Sequence, residues 1–175
     1  MRVVGGHLCA GAARGALRTA GLAFLDLVGV GTLVTRSLGL VEREFFATAV
    51  VVMVDTERAE LRWKSFGHVP ALVLAPDGSV TRLGATGPPI GLLVDSTSIG
   101  TVRYEPGSMI VLYTDGLIET HADPIDERID ALAIALDTIS AGTSPSEIVR
   151  VLLESVAPDD PGVDIAIVAA ALPGN

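Results

Sequence analysis

The chain has 175 residues, enough for one domain with a proper core, and carries a formal net charge of -9 with Lys64 as its single lysine. Without a basic patch it cannot neutralise a run of phosphates, which excludes a nucleic-acid partner and disfavours an anionic membrane surface. Hydrophobic residues make up 49% and aromatics only 4%, so the core must be built from Val, Leu, Ile and Ala.

In chain order, Leu8 to about Phe24 reads as a helix rich in small residues, with Arg14 and Arg18 as its polar edge. Leu33 to about Leu40 extends a second helix. Arg14, Arg18 and Asp26 interrupt the apolar N-terminal half, so neither a signal peptide nor a membrane span is expected there, and the longest strand-like apolar run, Phe45 to Val54, is too short to span a bilayer. Cys9, the only cysteine, has no partner for a disulfide and no neighbouring ligand for zinc. It reads as a small core residue of a reduced, cytoplasmic chain.

The period then becomes that of strands. Phe46 to Val54 is nearly continuous in apolar and β-branched residues, as a central strand is. Glu60 to Phe66 alternates, with Leu61, Trp63 and Ser65 on one side and Arg62 and Lys64 on the other. Ala71 to Leu74 and Ser79 to Leu83 flank the turn Pro76-Asp77-Gly78. Ile99 to Tyr104 and Ser108 to Thr114 flank Glu105-Pro106-Gly107. Connections of this hairpin type imply mostly antiparallel sheet.

The last third is helical before one closing strand. Asp123-Pro124-Ile125-Asp126 supplies an N-cap, a first-turn proline and an acid, and Ile125, Ile129, Leu132, Leu136 and Ile139 line one face. Ser144-Pro145-Ser146-Glu147 is a capping box opening a second helix through Ser155. Ile165 to Leu172 reads as the final buried strand. The expected class is α+β, with antiparallel sheets covered by helices, and no linker divides the chain.

The most informative stretch is Tyr113-Thr114-Asp115-Gly116-Leu117-Ile118-Glu119-Thr120. An acid at the end of a buried strand, before a glycine, can aim a rigid oxygen at a metal or a phosphate. Asp-Gly is equally a common turn pair, and on these eight residues alone turn and ligand stand level. Phosphatases with an aspartyl nucleophile need a second Asp two residues away, where Tyr113 and Leu117 stand, so any role of Asp115 is that of a ligand.

Four motifs in order carry a resemblance: Phe46-Ala47-Thr48-Ala49, Phe66-Gly67-His68-Val69-Pro70-Ala71-Leu72, Gly87-Pro88-Pro89-Ile90-Gly91-Leu92 and Tyr113-Thr114-Asp115-Gly116-Leu117. Together they resemble the SpoIIE-like branch of the metal-dependent PPM-type protein phosphatases, from about Gly5 onward, and Pro124-Ile125-Asp126-Glu127-Arg128 resembles actinobacterial members. The resemblance implies a PPM-phosphatase-like β-sandwich of antiparallel sheets flanked by helices, here lacking the first strands, with residues 1–175 forming a single, partial domain. It implies hydrolysis of a phosphoserine or phosphothreonine on an anti-anti-sigma-type regulator, a phosphorylated anti-sigma-factor antagonist. It also implies two Mn²⁺ or Mg²⁺ ions that bridge the attacking water, bound by aspartates.

By the same resemblance Asp115 takes a metal-ligand position, with Asp164 as the second candidate. The pattern departs at both ends. Where relatives place an Asp three residues before a Gly-His pair, Val3 precedes Gly6-His7, and shifting the match by one residue puts Arg2 there. The acid pair before the last strand reads Val163-Asp164, so its first, ligating position is apolar. His68 reads as a loop-structuring residue, Trp63 as sheet-face packing, and His121, Asp159 and Asp160 as solvated groups, while His7, at a helix start, either faces the site or lies near the surface. A working phosphatase completed by acids upstream of Met1, a domain that only binds its phosphoprotein, and a gene remnant with open sheet edges that dimerises or aggregates are the three readings.

Overall fold

The computed structural model describes residues 2–4, 27, 29, 47–90, 98–120, 123–140, 142–158 and 164–174. Its backbone divides into two compact units, Met1–Asp55, Glu60–His68 and Gly84–Val102 in one, Thr56–Ala59, Val69–Leu83 and Arg103–Asn175 in the other. The expected helices at Leu8–Phe24 and Leu33–Leu40, and Cys9, His7, His121, Asp159, Asp160 and Val163, lie outside the described residues.

Among the described residues, eight strands form two four-stranded sheets. The first has the order β1-β2-β3-β6, from β1 Arg2–Val4, β2 Thr48–Asp55, β3 Glu60–Phe66 and β6 Gly100–Arg103. The second has the order β5-β4-β7-β8, from β4 Ala71–Leu74, β5 Val80–Leu83, β7 Met109–Tyr113 and β8 Ile167–Ala171. The pairings β1–β2, β2–β3, β4–β5, β4–β7 and β7–β8 are all antiparallel, as the turn chemistry implies. Two helices follow β7: α1 Ile125–Asp137 and α2 Pro145–Ser155.

The aliphatic composition shows most clearly in the second sheet. Leu72 and Val111, on its two middle strands, are fully buried, and so are Leu132 and Leu136 of α1 and Ile148 and Leu152 of α2. Apart from Ile125, which is exposed, the apolar face read for α1 packs with that of α2 over β4 and β7 in one continuous core.

Three expectations need correction. Glu105-Pro106-Gly107 does form a turn, with Ser108 N–H donating to Glu105 O at 3.0 Å, but it carries the chain from β6 in one sheet to β7 in the other and closes no hairpin. The N-cap of α1 is Pro124, without a side-chain cap, while Asp123 N–H donates to Thr120 Oγ1. Ser144 does cap α2 by accepting from Glu147 N–H, yet the Glu147 carboxylate pairs with Arg150 in place of closing the box. Beyond these, Lys64 is buried: its Nζ donates to Ser98 O at 2.9 Å and lies 5.7 Å from the Phe66 ring centroid. The structure also adds a strand that periodicity did not mark. β1 exists through pairing, with Val3 opposite Ala49.

Candidate functional site

β7 ends at Tyr113, and the next two residues build the site. Thr114 is extended and buried, and Asp115 opens a 3-10 turn through Leu117. The Asp115 carbonyl accepts from the N–H groups of Ile118 and Glu119 at 2.8 and 2.7 Å. One carboxylate oxygen, Oδ1, accepts from Gly116 N–H at 3.0 Å. The side chain is exposed, so the acid stands at the sheet end on a turn anchored below it by Leu117 and Ile118, both fully buried.

Thr114 ties this turn to the start of the last strand. Its N–H donates to Ala166 O at 3.0 Å, its hydroxyl donates to Asp164 O at 3.1 Å, and the same oxygen accepts from Ala166 N–H at 2.9 Å. The ladder of β7 and β8, which begins with Tyr113 opposite Ile167, is thereby extended past its last pair. A hydroxyl is the only small group that can both donate and accept here, which satisfies backbone groups that would otherwise be buried without partners. The consequence is that Asp115 and Asp164, 49 positions apart by number (164 − 115), are carried on adjoining segments at one end of the sheet, both exposed.

Burial pushes the phenol of neighbouring Tyr113 above its ordinary value, and Arg82 opposes this only in part. Tyr113 therefore stays protonated at neutral pH and adds no charge beside the two aspartates. A cavity of about 310 Å³ in this unit is mostly apolar and sits at the other end of β7, against Met109, Leu74 and Ile148.

Exposed carboxylates offer hard oxygens of the kind Mg²⁺ and Mn²⁺ require. Among the described residues no group of three or more His, Cys, Asp or Glu comes together. Two exposed carboxylates fall short of the two-cation centre that the resemblance implies, so no chemical step is derived through such a centre.

The other motifs build a second polar cluster, in the other unit. His68 Nδ1 and Thr48 Oγ1 are 3.1 Å apart, Ser65 Oγ donates to the His68 carbonyl, and Gly67 N–H donates to Gly87 O at 2.9 Å. These bonds hold the Gly-His-Val-Pro loop against Gly87-Pro88-Pro89, which is the structural role expected of His68. Trp63 packs its ring where Gly100 has no side chain and donates Nε1–H to Gly84 O. Sequence reasoning did not assign Thr114 a role; the available signal was a β-branched hydroxyl at the last extended position before Asp-Gly.

Comparison with known proteins bears directly on this geometry. The sequence profile described as Stage II sporulation protein E (SpoIIE) matches residues 4–173. This chain belongs to the SpoIIE family. Its α+β fold, two antiparallel sheets with helices, is that of PP2C and SpoIIE phosphatase domains. The structure of the RsbU and RsbW domains of Rv1364c from Mycobacterium tuberculosis superposes with a TM-score of 0.80 at 27% identity, over 98% of this chain and 51% of that one. The PP2C phosphatase domain with a regulatory fragment of SpoIIE from Bacillus subtilis gives 0.81 at 18% identity, over 97% of this chain and 51% of that one. Protein IcfG of Synechocystis sp. is 33% identical over 78 residues, 44% of this chain and 12% of its own length. The chain thus spans about half of each of these two solved chains and a small part of IcfG. Among the described residues no helix is long and apolar enough to cross a membrane.

Proposed function

We propose that this SpoIIE-family chain is a single, partial phosphatase domain of a cytoplasmic regulatory protein. Its substrate is a phosphoserine or phosphothreonine on an anti-anti-sigma-type antagonist, and its activity depends on Mn²⁺ or Mg²⁺. Asp115 and Asp164 are its metal ligands. The observation that supports this reading is the Thr114 clamp, whose backbone bonds join the segments that carry these two exposed aspartates. The RsbU domain of the 27% identical relative supports the regulatory setting. A divalent cation held there would neutralise phosphate charge and lower the pKa of a bound water. The chain's own part is to present Asp115 on a fixed turn and to keep Asp164 beside it.

Recognition without turnover is a second reading, and two side chains favour it. Val163 and Val3 occupy positions where the resemblance implies acids, and Val3 lies in β1, paired with Ala49. Cation affinity falls sharply as ligand charge is removed. Hydrolysis of a generic phosphomonoester by the purified chain, with and without Mn²⁺, separates the two, with Asp115→Asn as control. Mn²⁺-dependent turnover lost in the variant supports the phosphatase. A folded, monodisperse protein without turnover leaves the phosphoprotein-binding module.

A further inference from the structure

β5 is one edge of the second sheet, and α1 packs beside it. Between them runs an open groove of about 350 Å³, walled by Val80, Ala133 and Ile134 and lined also by Arg82, Asp130 and Asp137. Ile134 is 67% exposed, the most open large apolar side chain among the described residues. The pairing with β4 fixes which backbone groups of β5 face outward. Ala75 N–H donates to Ser79 O at 2.9 Å, so these two residues form a hydrogen-bonded pair, and such pairs alternate along an antiparallel ladder. Leu74 opposite Val80 and Leu72 opposite Arg82 are then the non-bonded pairs. The N–H and C=O groups of Val80 and Arg82 therefore point away from β4, out from the sheet edge, at the groove that these two residues line.

We propose that this groove docks an extended, basic segment of a partner protein, added as a strand along β5 with an apolar side chain against Ile134. Strand addition satisfies the backbone groups of an edge and leaves specificity to alternate side chains. Val80 and Arg82, two residues apart, lie on one face of β5, so the matching face of an added strand meets Ile134 and the carboxylates of the groove. Charge selects the occupant. Asp126, Glu127, Asp130 and Asp137 are all exposed and fall with Ile134 on one face of α1 by helical spacing. Arg82, paired with Asp130, is the only cation lining the groove among the described residues. Lysines or arginines two residues before and after the apolar anchor would face these carboxylates. A second copy of the chain, itself carrying a net charge of -9, would bring like charges together there. The docking stands whether or not Asp115 and Asp164 hold a cation.

The probe is a fluorescein-labelled peptide with the core Thr-Lys-Thr-Leu-Thr-Lys-Thr, whose lysines and leucine share one face when it is extended. Anisotropy titration of the full chain, run without Mn²⁺ so that it is independent of the phosphatase reading, should show saturable binding. Hydrogen exchange of the Val80 and Arg82 amides should slow on binding by about tenfold or more. Ile134→Ala should weaken binding by about tenfold, the loss of one apolar anchor. Asp137→Asn should weaken it less and reduce its dependence on salt. The same peptide N-methylated at alternate residues, which cannot pair as a strand, should bind about tenfold more weakly. Leu153→Ala, at an exposed apolar residue of α2, should change nothing. Absence of saturable binding below about 1 mM overturns the proposal. So does binding that survives both Ile134→Ala and N-methylation, which is charge attraction alone. Concentration-dependent self-association that protects the Val80 and Arg82 amides without peptide also overturns it and gives the groove to a second copy.

Discussion

The two sheets bury their centres by different means. In β5-β4-β7-β8 the middle strands are aliphatic, and buried polar side chains enter only at strand ends, Ser108 before β7 and Thr114 after it. In β1-β2-β3-β6 the strand β3 takes Lys64 and Ser65 into buried positions within its own span. An aliphatic middle leaves the strand end as the place where backbone bonds run out, and there a hydroxyl and two carboxylates gather. The other sheet uses its polar groups to pin loops: Ser65 N–H donates to Thr86 Oγ1 at 2.8 Å, and Lys64 reaches the Ser98 carbonyl. The candidate site thus lies where a well-packed sheet stops, and the polar centre of the other sheet is structural.

This contrast breaks most visibly if the aliphatic cover is removed. Leu132→Ala, at a fully buried position of α1, should cost about 2–5 kcal/mol in denaturant unfolding, the range for a cavity in a packed core. A cost below about 1 kcal/mol, under the low end of that range, would mean that α1 does not seal β4 and β7. In the other sheet the sharpest change is Gly67→Ala. Gly67 has φ of 64°, and an added Cβ would stand 2.5 Å from Pro89 Cγ. Backbone strain and overpacking together should cost about 2–4 kcal/mol, read as a lowered melting temperature. At the sheet end, Thr114→Val keeps the shape but leaves Ala166 N–H without its acceptor, for about 1–3 kcal/mol, and Thr114→Ser should recover most of it.

The residues that were legible in the sequence carry their own boundary marks. β3 and β4 begin and end at Glu60, Phe66, Ala71 and Leu74 as read, because a turn or a glycine-proline loop bounds each. α2 starts where Ser144-Pro145 says it does. Asp115 was legible as an acid at a strand end, although Gly116 lies within the 3-10 turn and takes no positive φ. What escaped depends on partners far along the chain. β1 is three residues whose structure comes from pairing with β2. The turn chemistry of Glu105-Pro106-Gly107 is the same whether the next strand returns to the same sheet or enters another. Thr114 and Asp164 are 50 residues apart, and Arg128 and Val156 are 28 apart, so no local pattern announces either bond. Alternation set Lys64 on the face opposite Leu61, Trp63 and Ser65 but gave no sign of its burial, which contacts that include the Ser98 carbonyl and the Phe66 ring make tolerable.

Lys64 gives the smallest effect and the finest test of the comparison. Burial lowers its pKa from the ordinary lysine value, because the charged form loses hydration. The folded chain therefore binds fewer protons at this site than the unfolded chain, and stability must rise as pH climbs from the folded pKa toward the unfolded one. Below that window both states are charged and the full desolvation penalty opposes folding. Above it both are neutral and the penalty is gone. Lys64→Met keeps the length of the side chain without its charge, so the rise in stability as pH climbs toward 10.5 should flatten, as measured by urea unfolding at a series of pH values. The corresponding slope should be untouched by Leu132→Ala, which removes only apolar atoms from the other sheet's core. If Lys64→Met leaves the pH dependence unchanged, the cation in β3 is better solvated than its burial implies, and the two sheets differ less than their side chains suggest.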